Sequence, residues 1–141
     1  AVCVLDETSG KIALTDTVSL WANMPRKRLI AGLEEITGKP CVPDDPQHAA
    51  MLSSGALAFG GAAASCLCSF SLGRLRSVVF YPLGGTAAEQ RALLFRCIGT
   101  PDPCADTMRS VLRRYAFGTA WIATDPRSGG ASLRITYAVK E

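Results

Sequence analysis

Histidine is almost missing from this chain of 141 residues, and that scarcity restricts the chemistry open to it. The sequence contains one histidine, His48, and six cysteines. One imidazole cannot build a histidine-rich metal site or a zinc site of two cysteines and two histidines, and it leaves no second imidazole for catalysis. The motifs C-x-x-C and G-x-S-x-G are absent as well. We therefore expect no metal, no cofactor and no enzymatic activity, and a binding role instead.

The composition favours one folded domain over residues 1–141. Hydrophobic residues make up 48 % of the chain and charged residues 19 %. A chain of this length buries about two-thirds of its surface on folding, so it can form a core without disulfides. Residues 46–73 carry no formal charge, but three glycines interrupt them, which predicts a buried hairpin and no membrane span. Acidic residues directly after Ala1–Leu5 do not fit a leader peptide, so we expect a cytoplasmic protein.

The six cysteines are interpreted first as reduced, small core residues. Cys66 and Cys68 are two positions apart on a predicted strand, so they share a face and do not bridge each other. The alternative is a disulfide between Cys97 and Cys104 across a short loop, which would favour a periplasmic location. Thiol titration of unreduced protein separates the two interpretations.

Hydrophobic periodicity predicts an α+β two-layer sandwich with the helices packed on one face of an antiparallel sheet. Asn23 is the expected N-cap of the first helix, and Thr86 with Glu89 forms a capping box at the start of the second. The predicted helices are at about 24–37, 87–98 and 103–115. The predicted strands are a meander at 54–59, 62–72 and 75–81, and a terminal hairpin at 117–124 and 132–139.

Two tryptophans are candidates for different roles. Strict alternation puts Trp121 on the same strand face as Phe117, which predicts that Trp121 is buried. Trp21 directly precedes the first predicted helix and is a candidate exposed anchor for a partner.

Positive charge is concentrated in the second half of the chain. Residues 1–73 carry five bases and seven acids, whereas residues 74–141 carry ten bases and five acids. Arg109, Arg113 and Arg114 fall within one or two turns of the predicted third helix, where they form either a solvated face or a contact surface for an acidic partner. No strongly basic stripe is interleaved with aromatics, so we expect no nucleic-acid partner.

An acidic patch is the other candidate contact surface, and we favour it because it includes a loop that carries the histidine. Asp44, Asp45 and His48 lie in one predicted loop, and Glu34 and Glu35 precede it on the first helix. Cys41 and His48 could also be drawn as a nucleophile and its base, which would define a small cysteine-dependent hydrolase.

The last third of the chain resembles the helix-then-hairpin ending of small bacterial α+β proteins, some of which are immunity proteins. The residues that carry the resemblance are Leu93-Leu94, Ile98-Gly99-Thr100-Pro101, the run Arg114–Trp121, Asp125-Pro126-Arg127 and the run Leu133–Tyr137. The resemblance implies a protein that neutralises a toxin by occluding its active site, with no functional motif carried over. The alternatives are a periplasmic or envelope-associated structural domain and the Cys41 hydrolase.

Overall fold

The described residues form two helices and a six-stranded antiparallel sheet that share one hydrophobic core, which confirms the predicted α+β class. In the computed structural model of the chain, the described residues are 5–14, 18–37, 49–59, 62–99, 110–124 and 130–138. The helices are α1 (Arg26–Thr37) and α2 (Ala87–Ile98). A small separate sheet pairs β1 (Ile12–Ala13) with β2 (Ser19–Leu20). Helix α1 contacts the outermost strand of the large sheet, and α2 packs on two strands of its other half.

The large sheet consists of two three-stranded meanders, and its two central strands pair with each other. Its strands are β3 (Ala49–Phe59), β4 (Ala62–Ser71), β5 (Arg74–Pro82), β6 (Val111–Tyr115), β7 (Gly118–Thr124) and β8 (Ala131–Tyr137), in the spatial order β3-β4-β5-β8-β7-β6. Strand β8 pairs with β5 from Ser77↔Thr136 to Phe80↔Leu133. The predicted meander is confirmed, although its first strand begins at Ala49 and not at residue 54.

The predicted third helix is wrong over its last turn. Residues 111–115 form strand β6, whereas 103–109 lie outside the described residues. Val111 and Leu112 would share a helical face, but in the strand Val111 is buried and Leu112 is exposed. Pairing with β7 therefore overrides a local pattern that also fits a helix.

The expected cap at Asn23 is also wrong, because α1 starts later and is fixed differently. Asn23 has a φ of 63°, and its side-chain carbonyl accepts a hydrogen bond from Arg76 Nη1 at 2.8 Å. The Arg26 N–H donates to the Gly73 carbonyl at 3.0 Å, and the Leu75 N–H donates to the Met24 carbonyl at 2.9 Å. The start of α1 is thus bound to the turn between β4 and β5.

Helix α2 begins and ends as predicted. The Glu89 N–H donates to Thr86 Oγ1 at 3.1 Å, and the Thr86 N–H donates to Glu89 Oε1 at 3.4 Å, which completes the capping box. Gly99 ends the helix in the left-handed conformation, with a φ of 70°. The residues predicted to face the core are all buried: Leu93, Leu94, Cys97 and Ile98.

An aromatic cluster packs the turn at residues 6–10 against the sheet. The rings of Tyr115 and Phe117 stack with centroids 5.0 Å apart, and the Tyr137 ring is tilted against Phe117. The Tyr137 hydroxyl donates to the Gly10 carbonyl at 2.8 Å. Gly10 has a φ of 76°, and a Cβ there would lie 2.6 Å from Phe117 Cδ1, so the packing requires glycine.

Replacing the cap of α2 should destabilise the protein measurably. Thr86→Ala removes the oxygen that accepts the Glu89 N–H, and we expect the free energy of unfolding to fall by about 1 kcal/mol in urea denaturation. Thr86→Ser keeps the hydroxyl and is the matched control. An unchanged midpoint for Thr86→Ala would show that this box adds nothing to stability.

Tyr137 should make the protein sensitive to alkaline pH. Burial, with a smaller contribution from the charge of Cys68, raises the pKa of Tyr137 well above its ordinary value near 10. The unfolded chain then loses this proton first, so stability is complete below pH 10 and falls as the pH rises above it.

Denaturation at several pH values tests this expectation. Tyr137→Phe should flatten the loss above pH 10, while costing about 1 kcal/mol at neutral pH because the Gly10 carbonyl loses its donor. Tyr81→Phe, at a partly exposed tyrosine, should leave the pH profile unchanged.

Candidate functional site

On strands β6, β7 and β8 the large sheet has one face on the core and one face exposed to solvent. Along β7, Ala120 and Ile122 are buried while Trp121 between them is exposed. Along β8, Leu133 and Ile135 are buried while Arg134 is exposed. We call the second side the open face: it is the side that carries Trp121 and Arg134, away from the core.

A row of side chains crosses the open face at the level of Trp121. The register pairs Leu112 with Trp121, Trp121 with Arg134, Arg134 with Val79, and Val79 with Leu67. These residues, Leu112, Trp121, Arg134, Val79 and Leu67, are the tryptophan row. Leu112 is 46 % exposed and Trp121 is 40 % exposed, so the end of the row on β6 and β7 presents a large apolar surface to solvent.

Arg134 lies against the ring of Trp121. Its guanidinium carbon is 5.9 Å from the ring centroid, within the range of a cation–π contact. The pair occupies directly opposed positions on β7 and β8, so the strand register itself brings the two side chains together.

The charge of the large sheet has one sign. Within the six described strands every charged residue is an arginine: Arg74, Arg76, Arg113, Arg114 and Arg134. Arg114 and Arg134 are both exposed on the open face, and Arg114 lies opposite Thr119. The open face therefore combines exposed apolar surface with positive charge and carries no carboxylate on these strands.

The predicted basic surface on a helix is corrected by this arrangement. Arg113 and Arg114 are neighbours on a strand, so they point to opposite faces. Arg113 is half-buried beside Ala120 on the core side, and only Arg114 joins the open face. Arg109 lies outside the described residues.

The predicted acidic patch is described only in part. Glu34 and Glu35 are exposed on α1, and Asp44, Asp45 and His48 lie outside the described residues. Glu35 and Trp21 do line the same shallow pocket of about 330 Å³. Trp21 itself is half-buried against the core, with the Arg28 guanidinium 5.5 Å from its ring centroid.

Sequence reasoning missed the placement of two residues, Trp121 and Arg91. Trp121 is exposed and not buried, because Phe117 belongs to the turn before β7 and the alternation restarts at Gly118. Arg91 is only 1 % exposed, lies 5.2 Å from the Phe95 ring centroid and donates from Nη1 to Thr124 Oγ1 at 3.4 Å. The side of Trp121 depends on where the turn ends and β7 begins, and the burial of Arg91 is accompanied by a contact with Thr124 on β7.

The cysteines of the described region are core residues. Cys66, Cys68 and Cys97 are fully buried. Cys41 and Cys104 lie outside the described residues, so the hydrolase pair and the alternative disulfide stay predictions. Among the residues described, no group of three or more histidine, cysteine, aspartate or glutamate side chains could hold a metal ion. Neither described helix has the length and apolar character needed to cross a membrane.

Comparison of the chain with protein-family models, curated proteins and solved structures finds no match. The open face is therefore interpreted from its own residues and their geometry.

Proposed function

We propose that this chain is a non-enzymatic protein-binding module that binds an acidic partner through the open face of its sheet. The observation that carries the proposal is the tryptophan row, in which exposed Leu112 and Trp121 lie beside Arg134. Tryptophan and arginine are the residues most enriched among those that dominate the binding energy of protein interfaces. An apolar centre flanked by charge matches the usual anatomy of such interfaces.

The charge of the open face indicates what the partner presents. Arg114 and Arg134 offer planar guanidinium groups that bind carboxylates at two points. No carboxylate on the six strands competes for them. A partner surface with carboxylates around an apolar side chain fits this pattern, and the basic surface is preferred here over the acidic patch.

A single-stranded nucleic acid fits the same face less well. Such partners stack their bases on open aromatic rings. The tryptophan row offers one aromatic ring, that of Trp121, whereas binding along a single strand uses several rings for successive bases. The proposal therefore specifies a protein.

In its more specific form, the proposal is a toxin-neutralising immunity protein that acts in the cytoplasm. Its support is the resemblance of the last third of the chain to small α+β immunity proteins. An interface that occludes an active site would bury roughly 1,600 Å² in total. The toxin would then present the acidic surface, and Trp121 would lie near the centre of the contact.

The test first identifies the partner by pull-down from the native host with the unmodified chain, and then compares matched variants in binding to that partner. Trp121→Ala should raise the dissociation constant by about 30-fold, because truncating a central interface tryptophan costs about 2 kcal/mol or more. Arg134→Gln should raise the dissociation constant by a smaller factor. In both variants a faster dissociation rate should account for most of the change. Arg96→Gln removes the same charge from the exposed surface of α2 and should change the affinity less than twofold.

Three results would contradict the proposal. Loss of binding in Asp44→Lys with Asp45→Lys, but not in Trp121→Ala, would assign the contact to the acidic patch. Tight, Trp121-dependent binding of a single-stranded oligonucleotide, with no protein ligand found, would show that the partner is a nucleic acid and not a protein. Turnover of a substrate that Cys41→Ala abolishes would establish the hydrolase.

A further inference from the structure

A groove with a mixed lining lies where α1 begins beside the turn between β4 and β5. Its volume is about 530 Å³, which falls within the usual range of small-molecule sites. The lining divides into two chemical types. Its apolar wall is formed by Pro25, Ile30 and Leu72, and its cations are Arg26, Lys27 and Arg74. No acidic side chain from the described part of the chain lines it.

The cations of this groove are placed unfavourably in the protein alone. The first turn of α1 has no acidic residue and begins Arg26-Lys27-Arg28. Positive side chains at a helix N-terminus repel the partial positive charge of the helix dipole. Arg74, from the neighbouring strand, adds a further positive charge to the same groove.

Leu72 is placed unfavourably as well. It is 94 % exposed, and its φ of 53° lies in the left-handed region. Leu72 and Gly73 are the two central residues of a tight hairpin turn in which both φ angles are positive. Asn-Gly is the preferred pair in such turns, so leucine adds backbone strain and leaves apolar surface in water. None of the described residues covers that surface.

Arg26 provides a third observation. Its Nε is buried and has no hydrogen-bond partner among the residues that the structure describes. A buried donor without a partner costs about 1–3 kcal/mol. An oxyanion in the groove would offset the charge of this incompletely satisfied guanidinium and relieve the repulsion between the cations.

We propose that this groove binds a soluble amphiphilic anion, a single apolar chain that ends in a phosphate or carboxylate group. The oxyanion contacts Arg26, Lys27 and Arg74, and the apolar chain covers Ile30 and Leu72. This site is separate from the open face and does not rest on the function proposed above.

Titration with four small probes tests the ligand chemistry. Decyl phosphate and decanoate, both kept below their micelle concentrations, should bind saturably by calorimetry and raise the melting temperature. Inorganic phosphate should bind at least tenfold more weakly, because it lacks the apolar chain. Decyltrimethylammonium carries the chain with the opposite charge and should not bind. The stronger of the two anions identifies the preferred head group.

Variants then locate the site. Arg74→Gln should weaken decyl phosphate binding about tenfold, since it removes one charged hydrogen bond. Arg28→Gln is the matched control, because it removes the same charge from the same helical turn but from a side chain that lies on Trp21. Leu72→Asn should weaken binding while raising the melting temperature of the free protein, because asparagine suits the turn. That opposite pair of effects separates loss of the site from loss of the fold.

Several results would overturn this proposal. It fails if decyltrimethylammonium binds as well as decyl phosphate, or if Arg28→Gln weakens binding as much as Arg74→Gln. It also fails if vesicles containing anionic phospholipid bind while soluble decyl phosphate does not, since the region would then be a membrane-contact surface.

Discussion

The pairing of β5 with β8 is the contact on which the rest of the structure depends. It joins residues 77–80 to residues 133–136, and it is the sole link between the two meanders in the described sheet. The inward sides of both strands place Val78, Phe80, Leu133 and Ile135 in one core. On the other side, the same register sets Val79 beside Arg134 and so extends the tryptophan row across the junction. One set of backbone hydrogen bonds therefore creates the core and the candidate binding face together.

The elements that the sequence predicted correctly are those with local causes. The capping box needs only Thr86 and Glu89, which are three residues apart, and the alternation of β8 is visible within seven residues. The errors concern positions that distant contacts decide. Asn23 is held by Arg76, more than fifty residues away, and 111–115 becomes a strand because β7 offers a partner. In both cases the local pattern allowed two structures, and tertiary pairing selected one.

The candidate site could be predicted only in its chemical character. The excess of arginine in the second half of the chain is readable from composition, and it made a basic surface one of the two candidates, beside the acidic patch that the sequence favoured. The location of that surface depends on strand register, which separates Arg113 from Arg114 and brings Arg134 to Trp121. Both candidate surfaces share this property: the groove also combines arginines from segments that are far apart in the chain.

The position of β8 has a consequence for synthesis of the protein on the ribosome. This strand is the last of the sheet to be made, yet it lies between β5 and β7 at the centre. The meander of β3, β4 and β5 emerges first and must wait with the edge of β5 unpaired until some fifty further residues have followed. An unpaired strand edge is a template for incorrect pairing with other chains. The nascent chain is therefore most vulnerable to aggregation in the interval before β8 emerges. Once β8 pairs with β5 and β7, the edge of β5 is no longer available to other chains.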